Sequence, residues 1–162
     1  MSDEKDHLAE GQKIFEEESR DLLQQAESTL LLLEDDIDND ELINDLFRAI
    51  HTIKGSAGIF GFDSVVSFTH VAESVMGQLR DKELTLNEDL MNLLLDSIDQ
   101  TSKLVAHALN NAELVISDSL RKTGEGLLKR LQRYLDSNIS TASNILNKSK
   151  PETFHVTKEQ LE

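Results

Sequence analysis

The sequence contains no cysteine, a single proline and seven glycines among its 162 residues, and aromatic residues make up 4% of it. Without cysteine the chain can form neither a disulfide framework nor a thiolate metal site, as expected in a reducing compartment. The near absence of proline favours long helices. The longest apolar run, residues 30–33, is far shorter than the roughly 20 residues of a membrane span. The polar, acidic N-terminus predicts no signal peptide. We therefore expect a cytoplasmic protein that does not insert into membranes.

Basic residues are also scarce, since 16 Lys and Arg stand against 31 Asp and Glu, for a net charge of −15. The imbalance lies mainly in residues 1–45, where 16 acidic and 3 basic residues give −13. A chain of this charge would repel a phosphate backbone, which argues against nucleic-acid binding. We interpret the acidic end as a solvated helix face.

Apolar residues recur at helical spacings of three, four and seven in five segments. The predicted helices cover about residues 8–33, 41–60, 64–81, 85–109 and part of 113–136, and residues 1–7 are predicted to be frayed. Short turns between them predict an all-α, up-and-down bundle of five helices, with four forming the core and one added. Residues 138–162 are rich in Ser, Asn, Thr and Lys. This composition predicts a linker or tail after a domain spanning residues 1–137.

Helix ends are marked by capping residues. An Asn or Asp within residues 38–40 can cap the second helix, and Gly61 is expected to end it. Two patterns compete at the start of the fourth helix. Thr85 with Glu88 would make a capping box, whereas an Asn87 cap would be accompanied by a hydrophobic staple of the flanking apolar residues.

The most informative stretch is residues 49–62, AIHTIKGSAGIFGF. The helical period divides this stretch, with the few residues before it, into two faces. The apolar arc consists of Leu46, Ile50, Ile53, Ala57 and Phe60. The opposite face consists of Arg48, His51, Lys54, Gly55 and Gly58. Each glycine costs a helix interior roughly 1 kcal/mol relative to alanine. A purely structural helix does not need glycines there, but a helix presenting an imidazole to another protein does. We therefore predict a docking face at Arg48, Gly55 and Gly58.

Several chemistries lack their sequence motifs. The chain has neither a G-x-x-x-x-G-K-[S/T] phosphate loop nor a Rossmann fingerprint. The one Glu-x-x-His pair, Glu4 and His7, lies in the predicted frayed start and does not support a di-iron bundle. No cysteine is available as a nucleophile, and nothing singles out a serine. We predict no bound metal, no nucleotide site and no enzymatic activity for this domain alone.

A lone exposed histidine is usually an ordinary surface residue, and His70, which lies off its core stripe, is open to that interpretation. His51 has a more specific setting. Lys54, at i+3, lies on the neighbouring ridge and could compensate a dianion placed on the ring. Glu73, on the flank of the third helix, could reach across and fix the imidazole tautomer. Such a constellation is suited to holding a phosphoryl group.

Residues 51–62, HTIKGSAGIFGF, closely resemble the phosphorylation-site helix of histidine phosphotransfer (HPt) domains, whose signature is His-x-x-Lys-Gly. The Gly61-Phe62 continuation and residues 70–73, HVAE, are most similar to the N-terminal P1 domains of CheA chemotaxis kinases. The lead-in at 47–49 and residues 86–90 fit as well. The resemblance covers about residues 8–136 and is strongest over 42–98. Ser56 departs from the subgroup, which often has a second glycine there.

The resemblance implies that His51 is the phosphoacceptor, Glu73 its hydrogen-bond partner, Lys54 the cation near the phosphoryl group and His70 an outer member of that network. It also implies that a separate kinase domain supplies ATP and Mg²⁺. A receiver domain of the CheY or CheB kind would then take the phosphoryl group onto an aspartate. The domain would be a monomeric piece of a larger chemotaxis kinase. Two alternatives are a free-standing HPt protein of a phosphorelay and a structural or adaptor bundle that is never phosphorylated.

Overall fold

The computed structural model describes residues 2–110 and 116–137. The described part contains five α-helices and no strand. They are α1 (Ser2–Leu33), α2 (Asp40–Ile59), α3 (Asp63–Arg80), α4 (Glu88–Asn110) and α5 (residues 118–137). The predicted all-α bundle of five helices is therefore confirmed, while the predicted tail at 138–162 lies outside the described residues.

The first four helices form a closed ring of neighbours, because α1 packs on α2 and α4, and α3 packs on the same two helices. Each helix turns one apolar stripe inwards, as the sequence period predicts. The central side chains are almost fully buried, among them Leu30, Leu46, Ile53, Met76 and Leu94. Burying such side chains contributes roughly 1.5–3 kcal/mol each, which makes the bundle a firm support for its surface residues.

Asparagine side chains cap two of the helices. The Leu42 backbone N–H donates to Asn39 Oδ1 at 3.1 Å at the start of α2. The Leu90 backbone N–H donates to Asn87 Oδ1 at 2.8 Å at the start of α4. Each bond satisfies one of the N–H groups that a helix start leaves unpaired. Asn87 is thus the cap of α4 in preference to Thr85, and α4 begins at Glu88.

The end of α2 is closed by backbone hydrogen bonds that require a glycine. The Phe62 N–H donates to the Ala57 carbonyl at 3.0 Å, and the Gly61 N–H donates to the Gly58 carbonyl at 3.2 Å. Gly61 has a φ of +72°, a left-handed conformation that a Cβ atom would disfavour. This tight reversal brings α3 back alongside α2, and it therefore sets the distance between the two helices that carry the site.

The predicted fraying is wrong for residues 2–7, because α1 is helical from Ser2, and Met1 lies outside the described residues. Residues 3–10 are exposed, so they show no apolar stripe by which the sequence could reveal a helix. Asp3 and Glu4 lie in the first turn, where negative charge interacts favourably with the helix dipole. Ile14 of α1 is half exposed, and Phe60, which the helical period placed in the apolar arc, is the partly buried C-cap of α2.

Helix α5 runs beside α4 in the opposite direction. Gln100 Nε2 donates to the Leu120 carbonyl at 2.9 Å, and Leu127 and Leu131 are buried in the shared core. Gly124 lies within α5, and a Cβ atom there would be 2.9 Å from Gln100 Nε2. The glycine therefore permits a close approach of the two helices. None of the described helices is long and apolar enough to cross a membrane.

Candidate functional site

His51 lies on the outward face of α2, directly above a well-anchored stripe. Ile50 and Ile53, beside it in the sequence, are both 1% exposed. The His51 side chain is 59% exposed. A rigid helix therefore presents an imidazole that a second protein could reach.

Glu73 of α3 lies between His51 and Lys54. Its Oε1 is 2.9 Å from His51 Nδ1, and its Oε2 is 2.6 Å from Lys54 Nζ. The Glu73 side chain is only 12% exposed, and that of Lys54 is 23% exposed. Each carboxylate oxygen thus has one partner on α2, so the structure brings together three residues that the sequence singled out.

The protonation of Glu73 follows from opposing effects. Burial alone would raise the pKa of the carboxyl group, but the hydrogen bonds and charges of Lys54 and His51 outweigh it and lower the pKa below its ordinary value. At neutral pH Glu73 is therefore an ionised group that can only accept hydrogen bonds. His51 Nδ1 must then carry the donated proton. In the neutral ring this leaves the lone pair on Nε2, where it is available to act as a nucleophile.

One aromatic ring lies beside the imidazole and an arginine lies over that ring, and neither residue has a role predicted from the sequence. The Phe47 ring lies nearly parallel to the His51 ring, with centroids 5.9 Å apart and an interplanar angle of 8°. The Arg80 guanidinium carbon lies 4.0 Å from the Phe47 ring centroid. The spacing of Phe47 four residues before His51 signals the first contact. Arg80 belongs to α3, and its contact depends on a helix register that the sequence alone does not determine.

His70 lies on the exposed surface of α3. Its backbone carbonyl accepts a hydrogen bond from Ser74 Oγ at 2.9 Å. In the described part of the chain its ring is not hydrogen-bonded to His51, Lys54 or Glu73. The outer role that the resemblance implies for His70 therefore stays a prediction without a contact to support it.

The surface beside His51 is low and open. A Cβ atom at Gly55 would meet nothing within 4 Å, and one at Gly58 would only touch Val66 at 4.0 Å. Arg48 is exposed and pairs with Asp45 at 3.1 Å. Neither glycine is required by packing against another element, which is compatible with the predicted docking face and leaves its role to be tested.

The described residues contain no group of three or more His, Cys, Asp or Glu side chains arranged to hold a metal ion. A groove of about 640 Å³ runs between α1 and α4, and its lining includes none of His51, Lys54 and Glu73. The groups that the described residues place at His51 are its own imidazole, the Glu73 carboxylate and the Lys54 ammonium.

A helical bundle that exposes one imidazole, oriented by a carboxylate and flanked by a lysine, is the arrangement of a histidine phosphoacceptor domain. Compared with known families, the chain matches the Hpt domain over residues 12–104, more than half of its length. The chain belongs to the Hpt domain family.

The chain is also similar to curated proteins that are named as CheA. The chain is 38% identical over 93 residues to the chemotaxis protein CheA of Borreliella burgdorferi, covering 57% of this chain and 11% of that protein. It is 41% identical over 97 residues to CheA of Rhizobium meliloti, covering 60% of this chain and 13% of that protein. The chain thus spans between 11% and 13% of the length of these two relatives.

Two solved structures are similar to the bundle. The CheA phosphotransferase domain from Thermotoga maritima is 33% identical, with a TM-score of 0.59, and the match covers 63% of this chain and 97% of that domain. The phosphorylated P1 domain of CheA3, solved in complex with CheY6 from R. sphaeroides, has a TM-score of 0.68 over 77% of this chain and 98% of that one. At 23% identity, the second match supports the fold alone.

Proposed function

We propose that this domain is a phosphoryl carrier in a chemotaxis two-component pathway, with His51 as the phosphoacceptor. The observation that carries the proposal is the hydrogen bond of 2.9 Å between His51 Nδ1 and Glu73 Oε1. It directs the Nδ1 proton towards the carboxylate and leaves Nε2 with its lone pair. Membership of the Hpt family supports the same assignment.

The first transfer uses ATP held by a separate kinase domain. The Nε2 lone pair of His51 attacks the γ-phosphorus, a P–N bond forms, and the bond from the γ-phosphorus to the β,γ-bridging oxygen breaks. ADP leaves with that electron pair. Nδ1 keeps its proton, and the Glu73 carboxylate stabilises the positive charge that develops on the ring. Lys54 offsets negative charge on the phosphoryl oxygens.

The second transfer returns the ring to its starting state. A carboxylate oxygen of a receiver-domain aspartate attacks the phosphorus, a P–O bond forms, and the P–N bond breaks with its electrons returning to Nε2. The domain contributes position and electrostatic support to both steps, while ATP and Mg²⁺ enter with the kinase domain. The phosphorylated P1 domain solved with CheY6 is a precedent for such a receiver partner.

The domain is proposed to work as a monomeric module in the cytoplasm, as part of a larger chemotaxis histidine kinase. The CheA relatives, of which it matches a small part, support this assignment. Gly55, Gly58 and Arg48 are proposed as the surface on which the partners dock. A free-standing HPt protein would carry out the same chemistry, and the length of the encoding gene distinguishes the two.

The experiment is incubation with an active CheA kinase domain and radiolabelled ATP, using the wild-type chain and His51→Gln. We expect acid-labile, base-stable labelling of the wild type and none of the variant. His7→Gln, at an exposed position of α1, is the control for histidine replacement and should be labelled like the wild type. A wild-type chain that stays unlabelled beside an active kinase would favour the alternative of a structural or adaptor bundle.

A further inference from the structure

We propose that Phe47 and Arg80 are positioning residues for the His51 imidazole, a role that rests on the proposed function of His51. The three side chains form a continuous series across α2 and α3. Phe47 stacks on His51 with ring centroids 5.9 Å apart, and the Arg80 guanidinium carbon lies 4.0 Å from the centre of the Phe47 ring. In the described part of the chain neither Phe47 nor Arg80 has a contact with Glu73. The stacking contact with the imidazole is therefore separate from the hydrogen bond to the carboxylate.

The stack supplies a restraint that the hydrogen bond lacks. The bond to Glu73 fixes the position of Nδ1, but the ring can still rock about that contact. The side chain is 59% exposed, so little other packing limits this motion. A parallel ring with an interplanar angle of 8° restricts the plane of the imidazole. Since attack requires the Nε2 lone pair to point at phosphorus, fixing the plane raises the fraction of productive encounters.

Arg80 acts on Phe47, and its Nε also donates to Asp81 Oδ1 at 3.3 Å. A guanidinium over an aromatic face is attracted by the negative face of the ring, which holds the Phe47 ring in its stacking position. Gly77 lies beside the same ring, and a Cβ atom there would make ordinary van der Waals contact with Phe47 Cε2 at 3.5 Å.

The test uses phosphoramidate, a small phosphodonor that needs no docking surface, so it reports the reactivity of the imidazole alone. Phe47→Leu is expected to slow phosphorylation of His51 about tenfold, because a misoriented nucleophile loses productive encounters. Arg80→Gln is expected to slow it about two- to fivefold, the range of an exposed cation–π contact. Arg80→Lys should recover only part of the rate, because an ammonium keeps the charge but lacks the planar group that stacks. Arg20→Gln is the matched control, since Arg20 is an exposed arginine paired with Glu16 on α1.

Two readouts separate positioning from a general loss of structure. With the kinase domain and ATP, the Phe47 and Arg80 variants should lower kcat and leave KM for the domain unchanged. By NMR, the His51 ring protons should lose the ring-current shift caused by Phe47 in the Phe47→Leu variant. The Phe47→Tyr variant keeps an aromatic ring at this position, so it should keep the shift and be phosphorylated on His51 at the wild-type rate. Circular dichroism and thermal unfolding confirm that each variant is folded.

Wild-type rates in folded Phe47→Leu and Arg80→Gln would overturn the inference. So would His51 ring-proton shifts that do not change in Phe47→Leu. A wild-type chain that neither phosphoramidate nor the kinase domain labels would instead overturn the proposed function. The NMR comparison still decides whether Phe47 orients the ring in that case.

Discussion

His51 of α2 and Glu73 of α3 meet through Nδ1 and Oε1 at 2.9 Å, although the two residues are 22 positions apart in the chain. The contact depends on the tight reversal at Gly61, which returns α3 alongside α2. Because Glu73 is ionised and accepts only, the pairing assigns the proton of the neutral ring to Nδ1. The neutral ring of this surface histidine therefore has its lone pair on Nε2.

Removing the Glu73 carboxylate should slow phosphorylation without unfolding the domain. We expect a loss of roughly 10²-fold in Glu73→Ala, since the tautomer and the developing ring charge lose their support. Glu73→Gln should lose less, because its amide oxygen can still accept from Nδ1. The measurement is the initial rate of His51 labelling by a kinase domain. Glu27→Gln, at an exposed position of α1, is the control, and an unchanged rate in Glu73→Ala would remove Glu73 from the mechanism.

Replacing Lys54 should change the titration of Glu73. The charge and hydrogen bond of Lys54 help to lower the pKa of Glu73, whereas burial raises it. We therefore expect the pKa of Glu73 to rise in Lys54→Met, followed by carboxyl ¹³C shifts through an NMR titration. Lys103→Met, which removes an exposed lysine paired with Asp99 at 3.0 Å, should leave that pKa where it is. A Glu73 pKa that stays constant or falls in Lys54→Met would contradict the pairing.

The lowered pKa of Glu73 also predicts a dependence of stability on pH. A carboxyl group whose folded-state pKa lies below its unfolded value stabilises the fold fully above the unfolded value, about 4.3 for glutamate. That contribution is lost as the pH falls through the lower, folded-state pKa. The free energy of unfolding from urea denaturation should therefore decrease on acidification less in Glu73→Gln than in the wild type. Equal pH profiles for the two proteins would contradict the prediction.

Substitutions of the glycines beside His51 should affect the stability of the domain and its docking to partners differently. Gly55→Ala should raise the free energy of unfolding by about 0.5–1 kcal/mol, because glycine is costly within a helix and the added methyl group meets no neighbour within 4 Å. Gly55→Phe should impair transfer from the kinase domain or to a receiver domain more than it impairs stability, and a bulky residue at Gly58 should do the same.

Gly126 of α5 is a matched control, because a Cβ atom there also meets nothing within 4 Å. Gly126→Ala should stabilise the domain similarly, and Gly126→Phe should transfer phosphoryl groups normally. Normal transfer in the bulky variants at Gly55 and Gly58 would contradict the proposed docking face.

The sequence predicted the bundle well, because four of its helices bury a stripe that repeats with the helical period. It failed for residues 2–7, whose helix is exposed and therefore leaves no apolar pattern. Lys54 could be anticipated at the site because residues three apart on one helix are neighbours. Glu73 could be proposed because it flanks the inward stripe of the next helix.

Contacts between helices were harder to predict. Arg80 reaches Phe47 only because the reversal at Gly61 sets the register between α2 and α3. Gly124 faces Gln100 only because α5 lies close to α4. Such contacts depend on the distance and the register between two helices. The helical spacing of apolar residues in the sequence specifies neither of these quantities.

The most direct test of the central claim is ³¹P and ¹⁵N NMR of the domain after labelling by a kinase domain and ATP, with histidine ring nitrogens enriched in ¹⁵N. We predict coupling of phosphorus to Nε2 of His51, with Nδ1 still protonated and hydrogen-bonded to Glu73. Phosphorus bonded to Nδ1 of His51, or to another side chain, would contradict the account.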